Sequence, residues 1–379
     1  MLKKIGYLGP RGTFTEAAAR KYSGDDPVEL VCFMSLPGIV SAVDRGEVDE
    51  GVVPLENSTE GGVSQILDMV AQTGGVKFRG EVILSVRHNL LVRPGMEKSR
   101  VERVLSHPQA LAQCREYLNR ELPWAVQEET GSTTQAADLV ACSDLPWAAI
   151  GTELAAGCYG LEIAGHDIQD SNENATRFVV LGKTDAPFSG DCRTSLVVIA
   201  RDRPGALYGI LREFALRDIN LTRIESRPAK KKLGQYMFFI DLEGHREEER
   251  VSRAIEVIGE RAAHLRVLGS YPRDRSAMCE QDGDGARNPV TLEEARSEID
   301  MVDLQIVELI GIRTRLVEKV GALKGHPGRV RDVAREEEVI RRVRGIAERK
   351  GADPDMVERV YRLMIPSYVE MQRARLKNR

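Results

Sequence analysis

The 379-residue chain lacks most of what would mark a secreted, metal-binding or nucleotide-binding protein. Its six cysteines, Cys32, Cys114, Cys142, Cys158, Cys192 and Cys279, form no CxxC pair and are scattered over a chain too long to need disulfide staples, so reduced thiols in a cytoplasm are expected. The six histidines are equally dispersed; with no HExxH and no Cys/His cluster, no metal is implied. No stretch approaches the ~20 apolar residues of a membrane helix, and the opening MLKKIGYLGP has two lysines but no apolar h-region, unlike a signal peptide. The formal net charge of -4 gives no global field that asks for nucleic acid or an anionic membrane. What remains is the profile of a soluble globular protein, with 42% hydrophobic and 30% charged residues, long enough for two to four domains.

Three textures follow one another. Residues 1–182 alternate short apolar runs with amphipathic runs, a βα pattern. Strands are expected at Ile5–Leu8, Gly51–Pro54, Val82–Val86, Val104–Ser106 and Phe178–Leu181, and helices at Phe14–Lys21, Val63–Ala71, Pro108–Leu118 and Thr134–Ala141. Residues 193–272 read as strand, helix, strand, strand, helix, strand, the ferredoxin-like split motif. Residues 273–289 are polar and aperiodic, a linker. Residues 290–379 read as all-helical.

The first of those C-terminal helices is expected from Thr291 to about Lys324, roughly 50 Å at 1.5 Å per residue. Leu292, Ala295, Ile299, Val302, Ile306, Leu309, Leu316, Val320 and Leu323 keep the spacing of a packed seam. Gly325-His326-Pro327-Gly328 breaks it, a second helix starts near Asp332, and a third follows Asp353-Pro354. Between Leu309 and Leu316 the seam lands on Arg313, where a guanidinium needs an anion because a buried unpaired charge is costly. Lys324, eleven residues on, lies only about 20° around the helix, so the two cations face one site. Arg296, seventeen residues before Arg313, is roughly 25 Å away along the axis and would have to serve a second copy of the chain. The bland alternative is that these arginines are solvated or paired with neighbouring acids. The near balance of 19 Lys+Arg against 16 Asp+Glu in residues 290–379 argues against nucleic-acid binding, which wants a basic stripe.

In the N-terminal region several strands end in polar loops. Gly9-Pro10-Arg11-Gly12-Thr13 is one, and Thr13 with Glu16 has the spacing of a capping box. Glu56-Asn57-Ser58-Thr59 and Gly131-Ser132-Thr133 are two more. Such loops offer free N–H groups and a positive helix end to carboxylates, at the strand ends where open α/β sheets bind ligands. No GKS or GKT follows them and no GxGxxG occurs, so nucleotide binding is not expected. Each loop alone is also readable as a plain cap, and His107 beside Pro108 as a cap or a satisfied surface group.

Residues 4–182 carry GYLGPRGTFTEAA, GVVPLENSTEGGV, SHPQALAQC, GSTTQAA, AAIGTELAA-x-x-YGL and NATRFVVLG in order, and resemble the prephenate dehydratases. The resemblance implies a two-lobed α/β fold like periplasmic binding proteins, with lobe 1 about 1–79 and 166–185 and lobe 2 about 80–165 of a 1–185 domain. It implies Thr176 as proton donor or positioning group and Arg177 as carboxylate anchor. Phe178 would pack the ring or the core, and Thr13, Asn57, Ser58, Thr59, Ser132 and Thr133 would bind substrate.

RPGALYGIL and IESRP resemble the ACT domain, here 192–272. This implies phenylalanine binding at a dimer interface by Gly205, Ala206, Leu207, Glu225, Ser226, Arg227 and Pro228. Over 290–379, Arg, seventeen residues, Arg, eleven, Lys, then D-x-x-R-E, then a late Gln resembles the all-helical chorismate mutases. That implies that Arg313, with Arg296 of the partner subunit, binds the substrate carboxylates, helped by Arg335. Lys324 and Gln372 would bond the ether oxygen, and Asp332 and Glu336 the hydroxyl. Two features depart from the family: the mutase segment is C-terminal, and Tyr368 stands where a small hydroxyl residue is usual. The whole implies a cytoplasmic enzyme of phenylalanine biosynthesis without cofactor, a homodimer or dimer of dimers, acting on chorismate and prephenate under feedback by L-phenylalanine. A monofunctional dehydratase with a helical dimerisation module, a cytoplasmic amino-acid-sensing binding protein, and a preference for arogenate stay open.

Overall fold

A computed structural model of the chain describes residues 2–59, 61–62, 64–228, 236–274, 292–324 and 331–377. The chain divides into two compact units, Met1–Gly283 and Asp284–Arg379. Among the described residues no helix is long and apolar enough to cross a membrane.

The first unit begins with β1 (Lys3–Leu8), α1 (Phe14–Ser23), β2 (Val28–Phe33), α2 (Leu36–Arg45), β3 (Glu50–Asn57), β4 (Gly61–Gly62), α3 (Ser64–Gln72) and β5 (Lys77–Ser85). The chain then crosses to a second lobe: β6 (Asn89–Val92), β7 (Arg103–Ser106), α4 (Pro108–Gln113), α5 (Arg115–Glu121), β8 (Val126–Glu129), α6 (Thr133–Cys142), β9 (Trp147–Gly151), α7 (Glu153–Tyr159) and β10 (Glu162–Gly165). It returns as β11 (Ala175–Gly182). The lobe 1 sheet runs β2-β1-β3-β11-β5 with β4 paired to β3, and the lobe 2 sheet runs β10-β6-β9-β7-β8. The expected lobe boundary near residue 80 is corrected to 86–88. All of β5 belongs to the first sheet, where it pairs antiparallel with β11 from Lys77 to Ser85. At this crossing the two connecting strands are tied together: Val86 N–H donates to Asn174 O at 2.7 Å, and Ile168 N–H to His88 O at 2.8 Å.

A third sheet follows, β12 (Cys192–Ile199), α8 (Ala206–Ala215), β13 (Leu221–Pro228), β14 (Tyr236–Glu243), α9 (Glu249–Arg261) and β15 (His264–Pro272), in the order β13-β14-β12-β15. One face takes its two helices. The other shares a core with lobe 1: Val197, Phe239, Leu268 and Tyr271 pack with Leu55, Ile66, Phe78, Val179 and Leu181. Arg273 and Asp274, expected at the start of a linker, are instead anchored to this body. Arg273 donates to Glu243 at 2.7 Å, and Asp274 Oδ2 accepts from Ile83 N–H at 2.9 Å. Residues 275–289 lie outside the described residues.

Close approach explains one glycine here. A Cβ on Gly269 of β15 would fall 2.0 Å from the Phe78 carbonyl oxygen. Gly269→Ala is therefore expected to cost about 3 kcal/mol and lower the melting temperature of this unit by roughly 5–10 °C. Calorimetry reads this directly, and an unmoved midpoint would mean that the two sheets part freely.

The second unit is α10 (Leu292–Lys324), α11 (Val333–Lys350) and α12 (Pro354–Lys377). Asp332 caps α11, accepting from Arg335 N–H at 3.0 Å, and Gly351 ends it with φ 72. The core is small: Gly321, Ile340, Val343, Ala347, Tyr368 and Gln372 are its buried members among the described residues. The seam expected along α10 is not buried within one chain. Ile299, Val302, Ile306, Leu309, Leu316 and Val320 are each about half exposed, and Leu323 is 87% exposed.

Candidate active sites

A cleft of about 320 Å³ opens between the two lobes, within the size range of small-molecule sites. Lobe 1 contributes Phe14, Pro54, Asn57, Thr176 and Phe178; lobe 2 contributes His107, Gln109, Gln113, Ser132 and Thr133; His88 lines it from the crossing.

Two adjacent antiparallel strands set the central pair. Thr176 of β11 is in register with Asn57 of β3, and the Asn57 amide donates to Thr176 Oγ1 at 2.9 Å. The amide orientation is fixed by a backbone donor, since Asn57 Oδ1 accepts from Thr59 N–H at 3.0 Å. Thr176 Oγ1 is thus an acceptor toward Asn57, which leaves its own proton to be donated elsewhere. A bulge makes this pairing possible. The register shifts between Arg177 and Phe178, so that Arg177 faces Glu56 while Phe178 faces Pro54, and Leu55 is left over. Strict alternation would turn Asn57 to the same side as Val53 and Leu55, away from the cleft; the extra residue restores it.

The same alternation corrects the expectation for Arg177. It points to the opposite face of the sheet from Thr176 and Phe178, and donates to Glu81 at 2.8 Å, Asp241 at 2.7 Å and the Tyr271 hydroxyl at 2.8 Å. Burial alone would raise the Asp241 carboxyl, but the Arg177 guanidinium and the Ser195 hydroxyl hold it below its ordinary value. Arg177 is a structural cation between the sheets and not a carboxylate anchor in this cleft. Three other expected residues also stand outside the lining. Thr13 caps α1, accepting from Glu16 N–H at 3.3 Å and donating to Leu8 O at 3.0 Å. The Ser58 hydroxyl accepts from Ala175 N–H at 3.0 Å, and Thr59 is exposed. Ser132 and Thr133 do line the cleft, at the N-terminus of α6, where Ser132 accepts from Gln135 N–H at 3.0 Å.

Phe14, His88, Gln109 and Gln113 were not assigned from the sequence, although Gln109 and Gln113 lie in the quoted SHPQALAQC. His107 Nδ1 accepts from Gln109 N–H at 3.3 Å, so the neutral ring carries its proton on Nε2. His88 is 3% exposed, its Nε2 is 2.9 Å from Gln113 Oε1, and Phe14 meets its ring edge-on. Burial pulls the His88 pKa below its ordinary 6.5, with the Gln113 bond opposing, so the ring is neutral at neutral pH. The unfolded chain takes up a proton there first as pH falls. Stability from this group is therefore full above 6.5 and declines as pH drops toward the folded value. His88→Gln is expected to flatten that part of the stability–pH curve, measured by urea unfolding from pH 7.5 to 5; an unchanged slope would count against it.

In the second unit a pocket of about 170 Å³ is lined by Arg313, Asp332, Arg335, Glu336, Tyr368 and Gln372, among others. The Arg313 guanidinium lies 4.6 Å from the Tyr368 ring centroid and 5.7 Å from that of Tyr361. Its Nη1 is buried without a hydrogen-bond partner among the described residues. Tyr368 thus forms a stacking platform under the cation, and its hydroxyl is 3.1 Å from Thr314 Oγ1. Gln372 is buried and donates to Val317 O. Asp332 is committed to its cap, Arg335 pairs with Glu338 at 2.6 Å and Glu336 with Arg331 at 3.4 Å. Lys324 ends α10, and its side chain lies outside the described residues. Arg296 is exposed near the far end of α10.

In the third sheet, Gly205 opens α8 with φ 77, a conformation that favours glycine, and Ala206 and Leu207 follow in the first turn. Glu225 and Arg227 of β13 are paired at 2.7 Å, Glu225 also meets Arg223, and Ser226 and Pro228 complete the strand.

Three family models match the chain: Prephenate dehydratase over residues 5–186, ACT domain over 194–260 and Chorismate mutase type II over 295–373. The bifunctional chorismate mutase/prephenate dehydratase of Aquifex aeolicus is 43% identical over 270 residues, which cover 71% of this chain and 74% of that protein. The prephenate dehydratase of Methanocaldococcus jannaschii is 40% identical over 282 residues, 72% of this chain and 99% of that one. A crystal structure of the Arthrobacter aurescens prephenate dehydratase in complex with L-Phe is 34% identical, with a TM-score of 0.67, covering 80% of this chain and 99% of that one. The chain belongs to the bifunctional chorismate mutase/prephenate dehydratase family of phenylalanine biosynthesis, with its domains in the order dehydratase, ACT, mutase.

Proposed function

We propose that the interlobe cleft converts prephenate to phenylpyruvate around the Asn57–Thr176 pair, and that the pocket beside Arg313 rearranges chorismate to prephenate. In the first reaction the bond from the ring to its carboxylate breaks and carbon dioxide leaves. That electron pair passes through the ring as it becomes aromatic, and the ring hydroxyl leaves as water once it gains a proton. The proton-bearing Thr176 hydroxyl suits that leaving group as a hydrogen-bond donor; at its ordinary acidity it positions rather than ionises. Among the described residues no Lys or Arg lines this cleft, so the substrate carboxylates fall to N–H groups at the α6 N-terminus beside Ser132 and Thr133, and to His107, Gln109 and Gln113.

The second reaction is intramolecular and concerted. It needs a compact conformer held in place and positive donors near the ether oxygen, not a nucleophile. The single observation that carries this half is the buried Nη1 of Arg313, without a hydrogen-bond partner among the described residues, a charge set for an anion. Arg296 reaches such a pocket only from a second copy, and the exposed apolar length of α10 supports a homodimer, or a dimer of dimers, built along it. In the ACT domain the exposed Tyr208, Leu216, Ile224 and Tyr236 support a second self-contact, where phenylalanine binds beside Gly205–Leu207 and Glu225–Pro228. The free thiols of Cys32, Cys114, Cys142, Cys158 and Cys192 fit a cytoplasmic enzyme.

One assay tests the scheme: purified protein is given chorismate alone, and phenylpyruvate is followed with and without phenylalanine. Phenylpyruvate that forms and is suppressed by phenylalanine is the expected result. Conversion of added prephenate but not of chorismate would remove the mutase half.

A further inference from the structure

The cleft pair Asn57–Thr176 has a counterpart on the other face of the same two strands. Glu56 and Arg177, each one residue from a member of that pair, are themselves register partners and face the ACT sheet. Arg177 is held by Asp241 of β14 at 2.7 Å and by Tyr271 of β15 at 2.8 Å. Glu56 Oε2 stands 3.7 Å from Arg177 Nη1 and 3.8 Å from Arg223 Nε. Arg223 lies on β13, the strand that carries Glu225–Pro228; it pairs with Glu225, and its backbone is in register with Asp241. A continuous set of charges therefore runs from β13 to the two residues beside the cleft pair.

Most of the set is buried, while the Glu56 side chain, 39% exposed, reaches solvent. The side chains of Arg177, Asp241 and Glu81 are 10%, 6% and 1% exposed, and that of Arg223 is 9% exposed. Charges out of water attract strongly over short distances, and a separated partner is left uncompensated. A displacement of β14, with β13 paired to it at Arg223 and Asp241, then pulls on Arg177 through Asp241, and Glu56 adds a looser link to Arg223. Because neighbouring residues are covalently linked within 3.80 Å at Cα, Thr176 and Asn57 move with them.

We propose that this ion cluster is the positioning device through which the effector strand β13 sets the Asn57–Thr176 pair, with Arg177 and Glu56 as positioning residues for the dehydratase reaction. The proposal rests on the dehydratase and effector readings above, and wild-type turnover and its suppression by phenylalanine decide those by themselves.

Asp241→Asn in the full chain, with the same shape and one charge fewer, decides the coupling. The dehydratase kcat is expected to fall about tenfold with KM for prephenate moving less than about twofold, the signature of misplacement rather than lost binding. Phenylalanine binding, read by equilibrium dialysis, is expected to persist within about threefold, while the fraction of activity that saturating phenylalanine removes drops to less than about half of the wild-type fraction. Chorismate rearrangement by the same chain stays at the wild-type rate and reports a folded protein. Glu56→Gln, at a partly exposed position, shifts the inhibition in the same direction. Wild-type kcat with full inhibition overturns the proposal. So does a lower kcat with the inhibited fraction intact, which would make the cluster a brace only. Should Asp241→Asn fail to fold, Tyr271→Phe, which lacks a single oxygen, is judged on the same two outcomes.

Discussion

Arg313→Ala should slow chorismate rearrangement by about 10³-fold, the upper range for removing one preorganised donor from a site, while leaving the stability of the helical unit nearly unchanged. The two halves of this prediction have one cause. Nη1 of Arg313 is buried with no hydrogen-bond partner among the described residues, a desolvated donor that costs folding free energy of order 1–3 kcal/mol. Against that stands the stacking of the guanidinium on Tyr368 at 4.6 Å, worth about 0.5–2 kcal/mol. Alanine removes both, so the melting temperature is expected to stay within a few degrees. A substrate carboxylate removes only the cost and keeps the stacking, which makes the site strong for an anion and weak when empty. Arg313→Lys should recover little, because the ammonium lacks the planar fork that stacks on Tyr368 while it bonds an anion. Dehydratase turnover of added prephenate serves as the internal control. A mutase rate within about threefold of wild type would make the Arg313 pocket incidental and return α10 to a plain assembly helix.

How legible these sites were depends on whether local pattern or long-range pairing placed each residue. The seam break at Arg313 follows from helical periodicity, which is local, and the structure puts Arg313 with Asp332, Arg335, Glu336 and Gln372 in one pocket. The helix caps are also local, and Thr13, Ser132 and Asp332 all cap helices. The seam itself was legible, but its burial was not, since a single chain leaves Leu309 and Leu316 more than half exposed. In the cleft, alternation along β11 already separates Arg177 from its neighbours Thr176 and Phe178, so a strict period-two reading was enough to withhold Arg177 from the substrate. The turn of Asn57 toward the cleft was not available from the sequence. It depends on the bulge at Leu55, which exists only because β3 pairs with a strand more than a hundred residues later. His88 was missed for a similar reason: a histidine just past a strand end shows nothing until the crossing brings Phe14 and Gln113 to its two sides.

Thr176→Ala should lower the dehydratase kcat by about 10²–10³-fold, as expected for loss of a positioned donor in the transition state, with KM for prephenate changed less than about threefold. The Asn57 amide spends one N–H on Thr176 Oγ1 and holds its own carbonyl against Thr59 N–H, so the direction of the Thr176 proton is set before substrate arrives. Thr176→Ser keeps the hydroxyl and should recover most of the rate. Asn57→Asp tests the direction itself. It conserves size but replaces the donor with an acceptor, so the Thr176 proton turns toward the carboxylate and away from the substrate, and the new negative charge repels a dianion. Its loss should match or exceed that of Thr176→Ala, with KM raised as well. If Thr176 instead gave up its proton as a true acid, Thr176→Ser would alter the pH profile of kcat along with its size. A positioning hydroxyl does not titrate in the assay range, so the two profiles should superimpose after scaling. Superimposed profiles together with an inactive Asn57→Asp would assign the rate to hydrogen-bond direction, and an Asn57→Asp enzyme near wild-type activity would remove Asn57 from that role.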